Sequence, residues 1–200
     1  MPLVIVLFLL LPAPALSFLN DTEIAGFQKR TADAPVGERL AFWAEKFVGT
    51  PYDTNPIGEY VAKQTIIADD RVDCMYLVFR SAELALSRTP EEAANAALDK
   101  RFIAKGIIEN GVVLNYDDRF QYGEDMLFSG KWGKDITGLI AGTVELEGSR
   151  GREKVNIIPK ENIAEASEKM KSGDIIFFVK RPGKRAVGEI VGHMGVISRE

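Results

Sequence analysis

The chain has 200 residues, the length of one domain or of one domain with a short extension. Hydrophobic residues make up 46% of it, enough for a sizeable core. The formal charge of −4 is spread over both signs with no basic stripe, which sets nucleic acid aside as a partner, because phosphate binding needs clustered Lys and Arg.

The chain opens on an uninterrupted apolar run, "LVIVLFLLL" (Leu3 to Leu11). "PAPALS" follows, with small residues at Ala15 and Ser17. This is the layout of a secretory signal peptide over residues 1–17, although no Lys or Arg precedes the run. The run is short for a bilayer span; a short anchor or a buried strand is the other reading. No cysteine stands near the cleavage point, so a lipoprotein anchor is excluded. The expectation is an exported protein, periplasmic or extracellular, with no membrane span in the mature chain. Residues 18–36 read as a polar N-terminal arm that contributes little core, and residues 37–200 as the functional domain.

In "ERLAFWAEKFVG" the residues Leu40, Trp43, Ala44, Phe47 and Val48 share one helical face, and Gly49 closes the helix. "TPYDTNPIGEY" is a loop by its Pro, Asn and Gly content. From Cys74, "CMYLVFRSAELALSR" reads as a mostly apolar and therefore buried helix. "TPEEAANAALDKRF" predicts another, with Thr89 capping, Pro90 in the first position and Glu92 completing a capping box. "NGVVLNYDDRFQY" joins an Asn-Gly turn to a strand-like run. "GKWGKDIT" and "EGSRGREK" are loops, and "AEASEKMKSG" is a short helix ending at Gly173. "DIIFFV" (Asp174 to Val179) predicts a core strand. After a Gly-rich basic connection, "HMGVI" (His193 to Ile197) predicts the last strand. There is no repeat and no second domain boundary.

Cys74 is the one cysteine and His193 the one histidine. Exported proteins usually pair their cysteines, so a single one is a free thiol, an intermolecular bridge or a catalytic group. The plain alternative is a small buried hydrophobe. Position favours chemistry: the first turn of a helix favours thiolate, and its unpaired N–H groups can hold an oxyanion. A thiol nucleophile needs a base, and His193 is the candidate. One Cys and one His make no metal cluster, and no phosphate loop or serine elbow is present, so neither metal nor cofactor is expected.

The order "GTPY", then "DC" heading a helix, then "SGDIIFFV", then "GHMGVI" resembles the NlpC-type papain-like cell-wall hydrolases. "NYDDRFQYGEDM", "KDIT" and "NIIPKENI…KSGDIIFFV" are similar to its N-acetylmuramoyl-L-alanine amidase-like branch. The resemblance runs from about Phe47 to the end. It implies an α+β fold of the papain-like, NlpC type, with an antiparallel sheet and the cysteine-bearing helix packed against it. It implies Cys74 as nucleophile, His193 as base and Tyr52 as a group polarising the substrate carbonyl. Asp73 would shape the pocket, or be an ordinary N-cap. Tyr116, Asp118, Arg119 and Tyr122 would line a substrate groove, or form a solvated strand face. The implied partners are peptidoglycan or muropeptide fragments, and the implied reaction is metal-free hydrolysis of the N-acetylmuramoyl-L-alanine amide. Cleavage within the stem peptide, or a non-catalytic cell-wall-binding module, are the alternatives. Two departures stand out. Met75 and Tyr76 replace small hydroxyl or glycine residues, which would narrow the pocket. The polar residue that orients the histidine in relatives lies on a further strand, so it falls beyond Glu200 or comes from elsewhere.

Overall fold

A computed structural model describes residues 19–199, so the signal peptide expected at 1–17 lies outside the described part. The fold is mixed: helices packed with three separate two-stranded antiparallel ribbons. In chain order the elements are α1 (Asp21–Arg30), α2 (Val36–Lys46), α3 (Glu59–Ala62), α4 (Cys74–Leu86), α5 (Pro90–Lys100), β1 (Ile108–Glu109), β2 (Val112–Val113), α6 (Gly123–Phe128), α7 (Thr137–Ile140), β3 (Val144–Glu147), β4 (Lys154–Ile157), α8 (Ile163–Lys169), β5 (Ile175–Val179) and β6 (Val191–Val196).

The helix starts follow local capping chemistry. Asn20 and Glu23 form a reciprocal capping box that opens α1. This corrects the reading of residues 18–36 as an arm with little core, since Ile24 of α1 is 2% exposed and joins the main cluster. Asp73 caps α4, accepting from the Tyr76 N–H at 2.6 Å. Thr89 caps α5 through the Glu92 N–H, as expected. Glu92, however, reaches back to the Arg88 N–H at 2.7 Å, one residue outside the box. Asn110 and Gly111, both at positive φ, make the tight turn between β1 and β2.

The burial pattern departs from the sequence reading in three places. Helix α2 ends at Lys46, so Val48 is exposed while Ala41 is buried. Residues 116–118 form a 3₁₀ turn rather than a strand. β5 is only half buried, with Phe178 exposed, because β6 is its single partner among the described residues.

α4 is apolar nearly all round because it is covered on several sides, by α2, α5 and β6. Two of its buried residues are nevertheless charged. Glu83 receives two bonds of 2.6 Å from Arg101, which lies just past the end of α5. Both side chains are essentially inaccessible to solvent. Arg101 also donates to the Ile66 carbonyl at 2.9 Å. Removing one partner of such a pair leaves an uncompensated buried charge. Glu83→Ala is therefore expected to lower unfolding stability by about 3–5 kcal/mol in a chemical denaturation experiment, whereas replacing both residues with apolar ones should recover most of the loss.

Candidate active site

The site is built where three pieces of chain meet. The first is the segment before α3. The Val72 N–H donates to the Pro51 carbonyl at 3.1 Å, and the Asp53 N–H to the Val72 carbonyl at 3.0 Å. This short parallel bridge places Tyr52 beside the residue pair that starts α4. Asp53 holds the following turn, its carboxylate accepting from the Asn55 and Glu59 N–H groups at 2.9 and 2.6 Å. The second piece is Asp73–Cys74 itself, half-buried at the helix start. The third is β6, which packs against α4.

Tyr52 stays exposed, yet its phenol is held above the ordinary range by partial desolvation and then by neighbouring Cys74, Asp73 and Asp53. Burial pushes the Asp73 carboxyl up, with Asp53 adding to it, while the Tyr76 and Met75 N–H groups work the other way. The Cys74 thiol is raised as well. Burial is the largest cause, and the Asp73 charge adds to it. The Met194 N–H, and those of Cys74 and Met75, oppose the rise without reversing it. Position at a helix start thus does not produce a resting thiolate here, because desolvation outweighs the helix terminus.

His193 is exposed on β6, opposite Phe178 in the register, with ring centroids 5.8 Å apart at 31°. Among the described residues no hydrogen bond joins its imidazole to Cys74. The backbone lies nearer: the next residue, Met194, belongs to the cluster that Cys74 packs against, and its N–H works to lower the thiol. Met194 packs with Val78, Phe79 and Met126, and Cys74 and Met75 lie against that cluster.

The expected groove residues are placed differently. Tyr116 is buried, its hydroxyl donating to the Thr65 carbonyl and its ring between those of Tyr60 and Phe102. Asp118 is exposed and accepts from Asn115 at 3.1 Å. Arg119 donates to the Tyr116 carbonyl at 2.8 Å. Tyr122 lies half-buried beneath the Arg150 guanidinium, 4.0 Å from its ring. No hydrogen bond links these four to Tyr52, Asp73 or Cys74 among the described residues. Tyr76 does not narrow the pocket. It is 2% exposed and turns inward, its hydroxyl bonded to Asp69 and to the Ala68 N–H. An open cleft of about 730 Å³ between α2 and the end of the β5–β6 ribbon contains none of these residues. Among the described residues no group of three or more His, Cys, Asp or Glu side chains could hold a metal ion, and no helix is long and apolar enough to cross a membrane.

Sequence reasoning passed over three groups that shape the site. Asp53 had a local signal, an Asp before Thr-Asn-Pro that favours an Asx turn. Glu124 of α6, whose buried carboxylate accepts from the Ile190 and Val191 N–H groups at the start of β6, and the Met194 N–H had none, because both act through long-range contacts.

No family model matches the chain, and no curated protein matches it. Solved structures do. A crystal structure of an N-acetylmuramoyl-L-alanine amidase from Bacteroides uniformis superposes with a TM-score of 0.58 at 19% identity, covering 82% of this chain and 81% of that one. A Legionella pneumophila protein described by the family model DUF1460 reaches 0.64 at 15% identity, covering 88% and 78%. At these identities the likeness is one of fold.

The electrostatics give a direct test. Asn at position 73 keeps the cap but removes the charge that raises the thiol. Iodoacetamide labelling of Cys74 should therefore rise at lower pH in Asp73→Asn than in the unaltered protein, with the melting temperature nearly unchanged. Asp73→Ala should instead cost about 1 kcal/mol of stability through the lost cap.

Proposed function

We propose that the chain is a cysteine amidase of the papain-like, NlpC type, which hydrolyses the amide between N-acetylmuramic acid and L-alanine in peptidoglycan fragments. The observation that carries this reading is the meeting of Tyr52, Cys74 and the His193–Met194 backbone at the start of a buried helix. The fold likeness to an N-acetylmuramoyl-L-alanine amidase supports it. The leader-like N-terminus supports export to the periplasm or the outside of the cell, where such a substrate lies.

The raised thiol selects one form of the mechanism. At neutral pH the sulfur rests protonated, so His193 acts as a base during attack rather than as one half of a standing ion pair. The imidazole turns from Phe178 to the sulfur in the substrate complex, where catalytic hydrogen bonds tighten. It takes the thiol proton as the C–S bond forms. The carbonyl oxygen gains the negative charge and is held by N–H groups at the start of α4 and by the Tyr52 hydroxyl. As the C–N bond breaks, the imidazolium gives its proton to the departing L-alanine nitrogen. Water, losing a proton to His193, then cleaves the thioester and frees the thiol. Asp73 holds the helix start in place for these steps.

Incubation with defined muropeptides should release a stem peptide with a free N-terminal L-alanine, detected by mass spectrometry. Cys74→Ala should abolish release, and Tyr52→Phe should slow it roughly 10²-fold, the scale of one lost oxyanion donor. Full activity in Cys74→Ala would reject the mechanism. A released fragment cut inside the stem would reassign the bond. Sacculus binding without any cleavage would leave a binding module.

A further inference from the structure

β6 has one edge paired with β5 and another turned toward α4 and α6. The Ile197 N–H donates to the Asp174 carbonyl at 2.8 Å and its carbonyl accepts from the Gly173 N–H at 2.8 Å, so both main-chain groups of Ile197 face the β5 side of the ladder. Antiparallel ladders alternate, which puts Ile176–Gly195 and Phe178–His193 in the same phase. Met194 falls between them, so its N–H leaves the free edge, where the start of α4 presents the Cys74 sulfur.

The same edge is fixed a few residues upstream. The buried Glu124 carboxylate accepts from the Ile190 and Val191 N–H groups, each at 3.1 Å, and Arg150 pairs with it at 3.2 Å. The Met194 side chain, 2% exposed, locks the next turn of backbone into the core. The donor therefore has little freedom to relax.

We propose that the main-chain N–H of Met194 is a catalytic group that holds the Cys74 sulfur as it becomes a thiolate. The inference rests on the reading of Cys74 as nucleophile. A thiol sulfur is a weak acceptor, whereas a thiolate is a charged one. The bond is thus worth more once the proton has left, which is the condition for accelerating the step rather than only binding. A donor held rigid by the ladder and by Glu124 stabilises that charge without reorganising.

The test removes the N–H and keeps the side chain; it also weakens the preceding carbonyl as an acceptor, an effect that the ester at Val196 shares. Met194 is replaced by its α-hydroxy acid, turning the amide into an ester while the side chain stays. Iodoacetamide alkylation of Cys74 is then followed against pH. The expected result is a profile displaced upward by about one pH unit, equivalent to a roughly tenfold slower reaction below the inflection. The same ester at Val196, the next free-edge position, should leave it unmoved. An unchanged profile for the Met194 ester overturns the proposal, and so does an equal displacement by both esters. Because alkylation needs no muropeptide, a wrong substrate reading would appear in the muropeptide assay and leave this measurement standing.

Discussion

The Arg101 guanidinium is the point on which the rest of the fold depends. Burial works to lower its pKa, and Glu83 overrides that effect, so the charge is kept in a region that water does not reach. Two bonds go to Glu83 on α4 and one to the Ile66 carbonyl, and the plane lies 4.8 Å from the Tyr76 ring and 5.3 Å from that of Tyr60. Such a charge is tolerable only when nearly every donor is used, because a buried pair gains little over well-packed apolar residues. Its effect is geometric. α4, the end of α5 and the segment around Ile66 can close on one another in a single arrangement.

That arrangement reaches the sulfur through a short series of contacts. Tyr76 lies on Arg101 and bonds to Asp69, and Arg80 bonds to the same carboxylate at 3.0 Å. The segment 66–69 is moored to α4 in this way, and five residues after Asp69 the chain enters α4 at Cys74. Val72, between the two, pairs with residues 51 and 53 and so carries Tyr52 into place. On the opposite side the free edge of β6 is bonded by Glu124 from α6, and the start of α4 with Cys74 packs against the same strand. The site is therefore a seam between a helix start and a strand edge rather than a deep cavity.

How much of this was legible in the sequence depended on how local the signal was. The starts of α4 and α5, the Asn-Gly turn and the two final strands could be read because each is specified by a few adjacent residues. β3 and β4 were missed although Val144/Leu146 and Val155/Ile157 alternate with polar residues, because each strand is only four residues long and most of their side chains stay exposed. Tyr116 looked like a groove residue because "NYDDRFQY" is polar around it, and only its long-range bond to Thr65 reveals a core position. Tyr76 was misjudged for a related reason: adjacency to Cys74 in sequence suggested adjacency at the pocket. Two residues along a helix lie about 200° apart, so the side chain turns to the opposite face.

The same distinction between local and long-range terms governs the thiol. A helix start, taken locally, argues for a thiolate. Packing against β6 and the nearby Asp73 charge reverse that balance, so the sulfur rests neutral while the donors that would hold its charge are already in place. The cost of desolvation falls on the resting thiolate. In the proposed mechanism the compensating bonds would act fully only once a base has taken the proton and a carbonyl has arrived. A neutral thiol is also the form least open to oxidation. On the proposed mechanism, burial and hydrogen-bond donors would act on different stages of one reaction: the first keeps the sulfur neutral at rest, and the second favours its ionisation during attack.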